Sequence, residues 1–143
     1  MSQSRLILFK AIVGHHHDHR RAIDDFVVPM DVEIPFTVRQ VKDVAMTDEA
    51  VQGRLVVGNH FHTPESNRRE LFVATGPEKT ALFRARFREA GGEIQEFTLY
   101  RGDSCIVLPT VSHAFIPLCS GVVLRGLSNL PYDAAHDVPD KLF

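Results

Sequence analysis

The chain has 143 residues, 44% hydrophobic and 24% charged, with a net charge of −2 when histidine is neutral; this is the size and composition of one globular domain that buries its own core. So even a charge balance excludes broad electrostatic capture of nucleic acid or an anionic membrane, although a few arginines focused in one pocket can hold a small anion. Two cysteines, Cys105 and Cys119, make no disulfide framework and read as buried, inert thiols in a reducing cytoplasm.

In chain order, "RLILFKAI" is the first strand-like run, and the opening "MSQSRLILFKAIVG" is too short for a secretory hydrophobic region. "GHHHDHRR" follows, a tract composed like a metal binder or an affinity tag. It is neither six histidines long nor terminal, so a native surface loop is expected at His15–His19. "FVVP" and "FTVRQVKDVAM" are strand-like. "TDEAVQG" is a short helix with Thr47 as cap and Gly53 as stop. Then come "RLVVGNHFH", "ELFVATG", "TALFRARF", "EIQEFTLY", "SCIVLP", "SHAFIPL" and "GVVLRGLS". Arg84 and Arg86 share one face of their run, with Phe83 and Phe87 on the other. Ile94 and Phe97 break strict alternation, which suggests a bulge or burial on both faces. The tail "PYDAAHDVPDKLF" has a locally helical texture and a fraying end at Phe143. Turn signals recur roughly every ten residues, the spacing of an antiparallel sandwich or barrel. No apolar run approaches the ~20 residues that span a bilayer.

His60 and His62 stand two residues apart in a strand-like run, so both imidazoles project from one face while Phe61 points away. Glu65 and Glu70 follow. Further on, Gly102 turns the chain, Pro109 ends a strand and His113 begins the next. His60, His62, Glu70 and His113 together are a donor set for a divalent metal. Two imidazoles in one interior are costly unless paired or ligated, which argues against mere packing.

These residues resemble the two motifs of the cupin superfamily. The first, Gly-x5-His-x-His-x(3,4)-Glu-x6-Gly, is matched loosely by His60-x-His62-x7-Glu70-x5-Gly76. The second, Gly-x5-Pro-x-Gly-x2-His, is matched by Gly102-x6-Pro109-x3-His113. The resemblance implies an all-β fold, a double-stranded β-helix or jelly-roll barrel over residues 1–143, with a site in the barrel mouth.

A closer similarity is to one cupin branch, the sugar-nucleotide isomerases and epimerases, which includes the dTDP-sugar 3,4-ketoisomerases and, more distantly, dTDP-4-dehydrorhamnose 3,5-epimerase. "DHRRAIDDF" with "IPFTVRQV", "VVGNHFHT" and "LPTVSHAF…GVVLRGLSNLPYDAAHDVPDKLF" carry it. It implies an isomerase or epimerase acting on a nucleotide-linked 4-keto sugar, in sugar-nucleotide or surface-polysaccharide biosynthesis. His60 and His62 would be its acid/base pair and no cofactor would be required. Histidine suits this work because its ordinary pKa of about 6.5 lets it take and give protons near neutrality. The chain departs from the pattern at Val57, where the family has arginine, at Lys42 and Asp43, where it has tyrosines, and at Thr63, where it has lysine. Arg54, Arg84, Arg86 and Arg125 are candidates for a diphosphate. "GNHFH" also resembles a branch of capsular-polysaccharide cupins that bind metal. The alternative is therefore a metal-dependent enzyme with zinc, nickel, iron or manganese on His60, His62, Glu70 and His113. A non-catalytic sugar-binding barrel is the third reading. A cytoplasmic homodimer with a small-molecule partner, and neither nucleic acid nor membrane, is expected, since dimer contacts cover sheet edges.

Overall fold

The computed structural model describes residues 5–143, so the first four residues of the opening segment lie outside the described part. Twelve strands and one short helix follow in order. They are β1 (Leu6–Lys10), β2 (Ile12–His17), β3 (Ala22–Val27), β4 (Gln40–Ala45), α1 (Asp48–Gly53), β5 (Val57–His62), β6 (Glu70–Thr75), β7 (Phe83–Arg88), β8 (Gln95–Leu99), β9 (Asp103–Val107), β10 (Ser112–Pro117), β11 (Val123–Ser128) and β12 (Asp137–Pro139). One five-stranded sheet has the order β1-β9-β6-β11-β4 and the other β12-β5-β10-β7-β8, while β2 and β3 form a separate hairpin. Every pairing is antiparallel.

The main core lies between the sheets. Phe72 and Ala74 of β6, Phe83, Ala85 and Phe87 of β7, and Phe115 of β10 meet Cys105, Val107 and Leu124 there. In β7 this leaves Arg84, Arg86 and Arg88 on the opposite, partly exposed face, as alternation requires. A second cluster covers the outer face of the first sheet, where Leu71, Val73 and Ile106 pack against Phe9, Phe26, Val28, Ile34 and Phe36. β6 is therefore buried on both faces. Its inward set includes Glu70, which is 2% exposed. The reading of Glu70 as a ligand candidate thus meets a buried carboxylate rather than a solvated one, whereas Glu65 sits in an exposed-facing 3-10 turn, Pro64–Ser66.

Several sequence expectations need correction. His15–His17 belong to strand β2, not to a loop, because their backbone pairs with Ala22–Asp24. Thr47 caps α1 as expected, but the left-handed cap residue is Arg54, one position after Gly53. β8 pairs with β7 in regular register from Leu99 to Gln95, so no bulge follows from Ile94 and Phe97. The tail holds a single 3-10 turn, Ala134–His136, and then a strand. Its end is docked rather than frayed: Leu142 is 2% exposed, and the Phe143 ring lies 4.3 Å from the Arg86 guanidinium. Cys105 is buried and burial pushes its thiol well above the usual range, while Cys119 is half-buried. Among the described residues no helix is long and apolar enough to cross a membrane.

Candidate active site

The bulge in this fold lies in β5. His113 pairs with His60 and Ala114 with Gly58, so Asn59 is the extra residue. Gly58 and Asn59 both take positive φ, 96° and 61°. Glycine is required at 58 because a Cβ there would lie 2.6 Å from the His113 carbonyl oxygen. Asn59 uses its polar groups on the tail: its Oδ1 accepts from Leu142 N and its carbonyl from Asp140 N. The local sequence "GNH" thus re-aims the strand just before the two histidines.

His60, His62 and His113 converge in the barrel. Their ring centroids are 5.0, 4.8 and 5.4 Å apart, and one ring nitrogen of each lies within 4.8 Å of the others. Glu70 completes the group, with Oε1 2.6 Å from His62 Nε2 and 3.7 Å from His113 Nε2. All four predicted site residues are therefore brought together.

Four further residues join them. Asp137 Oδ1 is 2.7 Å from His62 Nδ1, and its Oδ2 is 3.8 Å from His60 Nδ1. Tyr132 donates its hydroxyl to Asp137 Oδ2 at 2.7 Å. Lys42 Nζ and Arg68 Nη2 approach Glu70 Oε2 at 3.5 and 3.4 Å. Arg68 is itself tied to the Leu130 carbonyl and to Gln40. The tail and "FTVRQVKDVAM" contained three of these residues, but no spacing rule singles them out. By contrast Arg84 and Arg86 are engaged by Glu96, and Arg125 by Asp43, while Arg54 caps α1. None of the four candidate phosphate arginines lines the histidine cavity.

Protonation follows from these contacts. Burial opposes ionisation of Glu70, but the His62 hydrogen bond and the neighbouring His113, His62 and Lys42 outweigh it, so its carboxyl stays well below the usual range. Asp137 is likewise held below its ordinary value, burial being overcome by the Tyr132 hydrogen bond and the two histidines. His62 bridges the two carboxylates, with Nε2 on Glu70 and Nδ1 on Asp137. Burial lowers His113 to about 4, and its Nδ1–H donates to the Val111 carbonyl. Burial also lowers His60, against the attraction of Asp137. His60 is the most open of the three, its side chain 25% exposed against 3% for His62 and 3% for His113. The cavity they line is about 60 Å³, and Lys42, Phe72, Phe115, Leu124 and Tyr132 also line it.

No family profile and no curated protein sequence matches this chain. Solved structures do. The TDP-quinovose 3,4-ketoisomerase WlaRB from Campylobacter jejuni superposes with a TM-score of 0.68 at 16% identity, over 96% of this chain and 95% of that one. The sugar 3,4-ketoisomerase QdtA from Thermoanaerobacterium thermosaccharolyticum, solved with TDP, gives 0.65 at 16% identity over 94% and 87%. The 3'-monoepimerase ChmJ from Streptomyces bikiniensis, solved with dTDP-quinovose, gives 0.67 at 15% identity over 97% and 71%. This chain has the cupin fold. In this fold the histidines lie inside the barrel, as the motif resemblance implied, and β10 supplies the third from the second motif. His62 Nδ1 and His113 Nδ1 contact Asp137 and the Val111 carbonyl, and the Nε2 atoms of both face Glu70, whose Oε1 is engaged by His62 Nε2 at 2.6 Å.

Proposed function

We propose that this cupin is an isomerase or epimerase of a nucleotide-linked 4-keto sugar, acting by histidine acid/base proton transfer in sugar-nucleotide or surface-polysaccharide biosynthesis. The supporting observation is the division of labour between two neighbouring imidazoles. His62 is clamped between two carboxylates, while His60 opens to the cavity with its basicity reduced by burial. A base poised near neutrality is what abstraction of a C–H beside a ketone requires.

In this reading His60 removes the proton from the carbon next to the carbonyl. The electron pair of that C–H bond forms the enediolate, and the negative charge gathers on the former carbonyl oxygen. Lys42, at the cavity wall, supplies the positive charge facing it. If the hydroxyl proton passes to the former carbonyl oxygen and the abstracted proton returns to the former carbonyl carbon, the carbonyl moves to the neighbouring carbon; return of the proton to the opposite face of the original carbon inverts that centre. His62 keeps the field around His60 constant and, through Asp137 and Tyr132, connects the cavity to the surface, where Tyr132 is exposed. The protein is taken to work in the cytoplasm as a homodimer on a small-molecule substrate.

The test is solvent-deuterium incorporation into TDP-4-keto-6-deoxyglucose. The wild type is expected to exchange the proton beside the ketone, and His60→Ala to lose about 10²–10⁴-fold in rate. Tight sugar-nucleotide binding without exchange would instead assign a non-catalytic sugar-binding barrel.

The three histidines, with ring nitrogens within 4.8 Å of one another, support a second reading, in which they and the neighbouring Glu70 hold zinc, nickel, iron or manganese. Such an ion would polarise a substrate carbonyl as a Lewis acid. His62 would then release its Nε2 proton and Glu70 would exchange a hydrogen bond for a metal bond. About one metal per chain in protein purified without added metal, lost in His60→Ala/His62→Ala, would favour it.

A further inference from the structure

The β2–β3 hairpin stands apart from both main sheets. His15 and His17 are alternate residues of β2, so their side chains leave the same face. Both are exposed. Their ring centroids are 5.5 Å apart at an interplanar angle of 35°. Two imidazoles sharing one tetrahedral ion with bonds of about 2.1 Å have centroids roughly 5 Å apart. Across the hairpin, His17 faces Ala22, whose methyl leaves room beside the ring, and His15 faces Asp24.

Asp24 sets the tautomer. Its Oδ1 is 2.5 Å from His15 Nδ1 and accepts Arg101 Nη2 at 2.7 Å. Arg101 is 11% exposed in its side chain and is also held by Glu78 at 3.0 Å, so the carboxylate is anchored from below. The His15 hydrogen bond and Arg101 keep Asp24 ionised, below its ordinary pKa. His15 therefore donates from Nδ1, which leaves Nε2 as a bare lone pair when the ring is neutral. A carboxylate behind one nitrogen and an open lone pair at the other is the arrangement of a metal-ligating histidine with its supporting partner.

We propose that His15 and His17 form a surface site for a borderline divalent cation of the Zn²⁺, Ni²⁺ or Cu²⁺ class, with Asp24 as the orienting carboxylate and water in the remaining positions. Imidazole nitrogens select these ions over Mg²⁺ or Ca²⁺. The hairpin residues do not line the barrel cavity, and the site is independent of the function proposed above. Both ligands lie on β2 near the turn end of the hairpin, where His17 pairs with Ala22.

Titration of the full chain with Ni²⁺ by calorimetry tests it, using wild type, His17→Ala, Asp24→Asn and His62→Ala. A Ni²⁺ site is expected in wild type and in His62→Ala. It should weaken at least about tenfold in His17→Ala and by about tenfold in Asp24→Asn, where both ligands remain but the supporting charge is gone. In NMR spectra, Ni²⁺ should first broaden the amides of Gly14–Asp25, a readout that does not depend on any variant folding. Ni²⁺ binding unchanged in His17→Ala, binding unchanged in Asp24→Asn, or broadening that begins at His60 and His62 and spares the hairpin would each overturn the proposal.

Discussion

Asp137 holds its Oδ1 2.7 Å from His62 Nδ1, although 75 residues separate them in sequence. The contact exists because β12 pairs with β5 in a register that sets Asp137 directly beside His62. Cross-strand neighbours share a face, so the carboxylate enters the barrel with the imidazole. The tail that carries Asp137 is fastened further on. Asp140 accepts from Ser112 and Arg88, and Leu142 N donates to Asn59. The C-terminal segment therefore completes the site that the two histidine motifs begin.

Asp137→Asn should keep the fold and lower exchange activity by about 10–100-fold, the usual effect of removing a carboxylate that orients a working histidine. The amide oxygen can still hydrogen-bond to His62 Nδ1 but carries no charge. Steady-state rates alongside a thermal melt check this; full activity with an unchanged melting temperature would remove Asp137 from the mechanism.

Stability should depend on pH through His113. Its folded value of about 4 lies below the ordinary 6.5, so between these values the unfolded chain binds more protons than the folded one. The stabilisation is complete above about pH 6.5 and is lost as pH falls toward 4, by up to about 3 kcal/mol. His60, also lowered, acts in the same direction. Urea unfolding across pH 7.5 to 4.5 should show this slope, and His113→Asn should flatten it.

Gly58→Ala should destabilise the protein by about 1–3 kcal/mol and displace His60. Its φ of +96° and the 2.6 Å approach of a Cβ to the His113 carbonyl both oppose a side chain. Denaturant midpoints measure the first effect. The rate of deuterium exchange measures the second, and should fall even where the variant is fully folded.

Leu142→Ala should cost about 2–5 kcal/mol, because the side chain is buried and its removal leaves a cavity under the tail. It should also loosen Asp137 and lower activity more than the loss of stability explains. Amide hydrogen exchange in β12 would report the loosening directly.

Much of the fold was legible. Phe83, Ala85 and Phe87 alternate with three arginines, and that period alone gives β7 and its buried face. β2 was not legible, because consecutive histidines carry no alternation. β12 was missed because three residues after a helical-looking turn give no pattern to count. At the site, the His60–His62 spacing and the Pro109–His113 segment pointed to three of the four clustered residues, and Glu70 was reachable from its place after the pair. Lys42, Arg68, Tyr132 and Asp137 had no comparable signal. The tail likeness covered Tyr132 and Asp137 without saying which group would face the barrel.

The sequence by itself determined the antiparallel strands and the shared face of His60 and His62, because both follow from the two-residue repeat of an extended chain. The tertiary structure decided which groups surround that pair. Asp137 reaches His62 through the β5–β12 register, Glu70 points inward from a strand buried on both faces, and the Asn59 bulge sets the aim of His60. Those choices rest on pairings between segments far apart in the chain, and the register of such pairings is fixed by packing and hydrogen bonding across the whole sheet rather than by any local pattern.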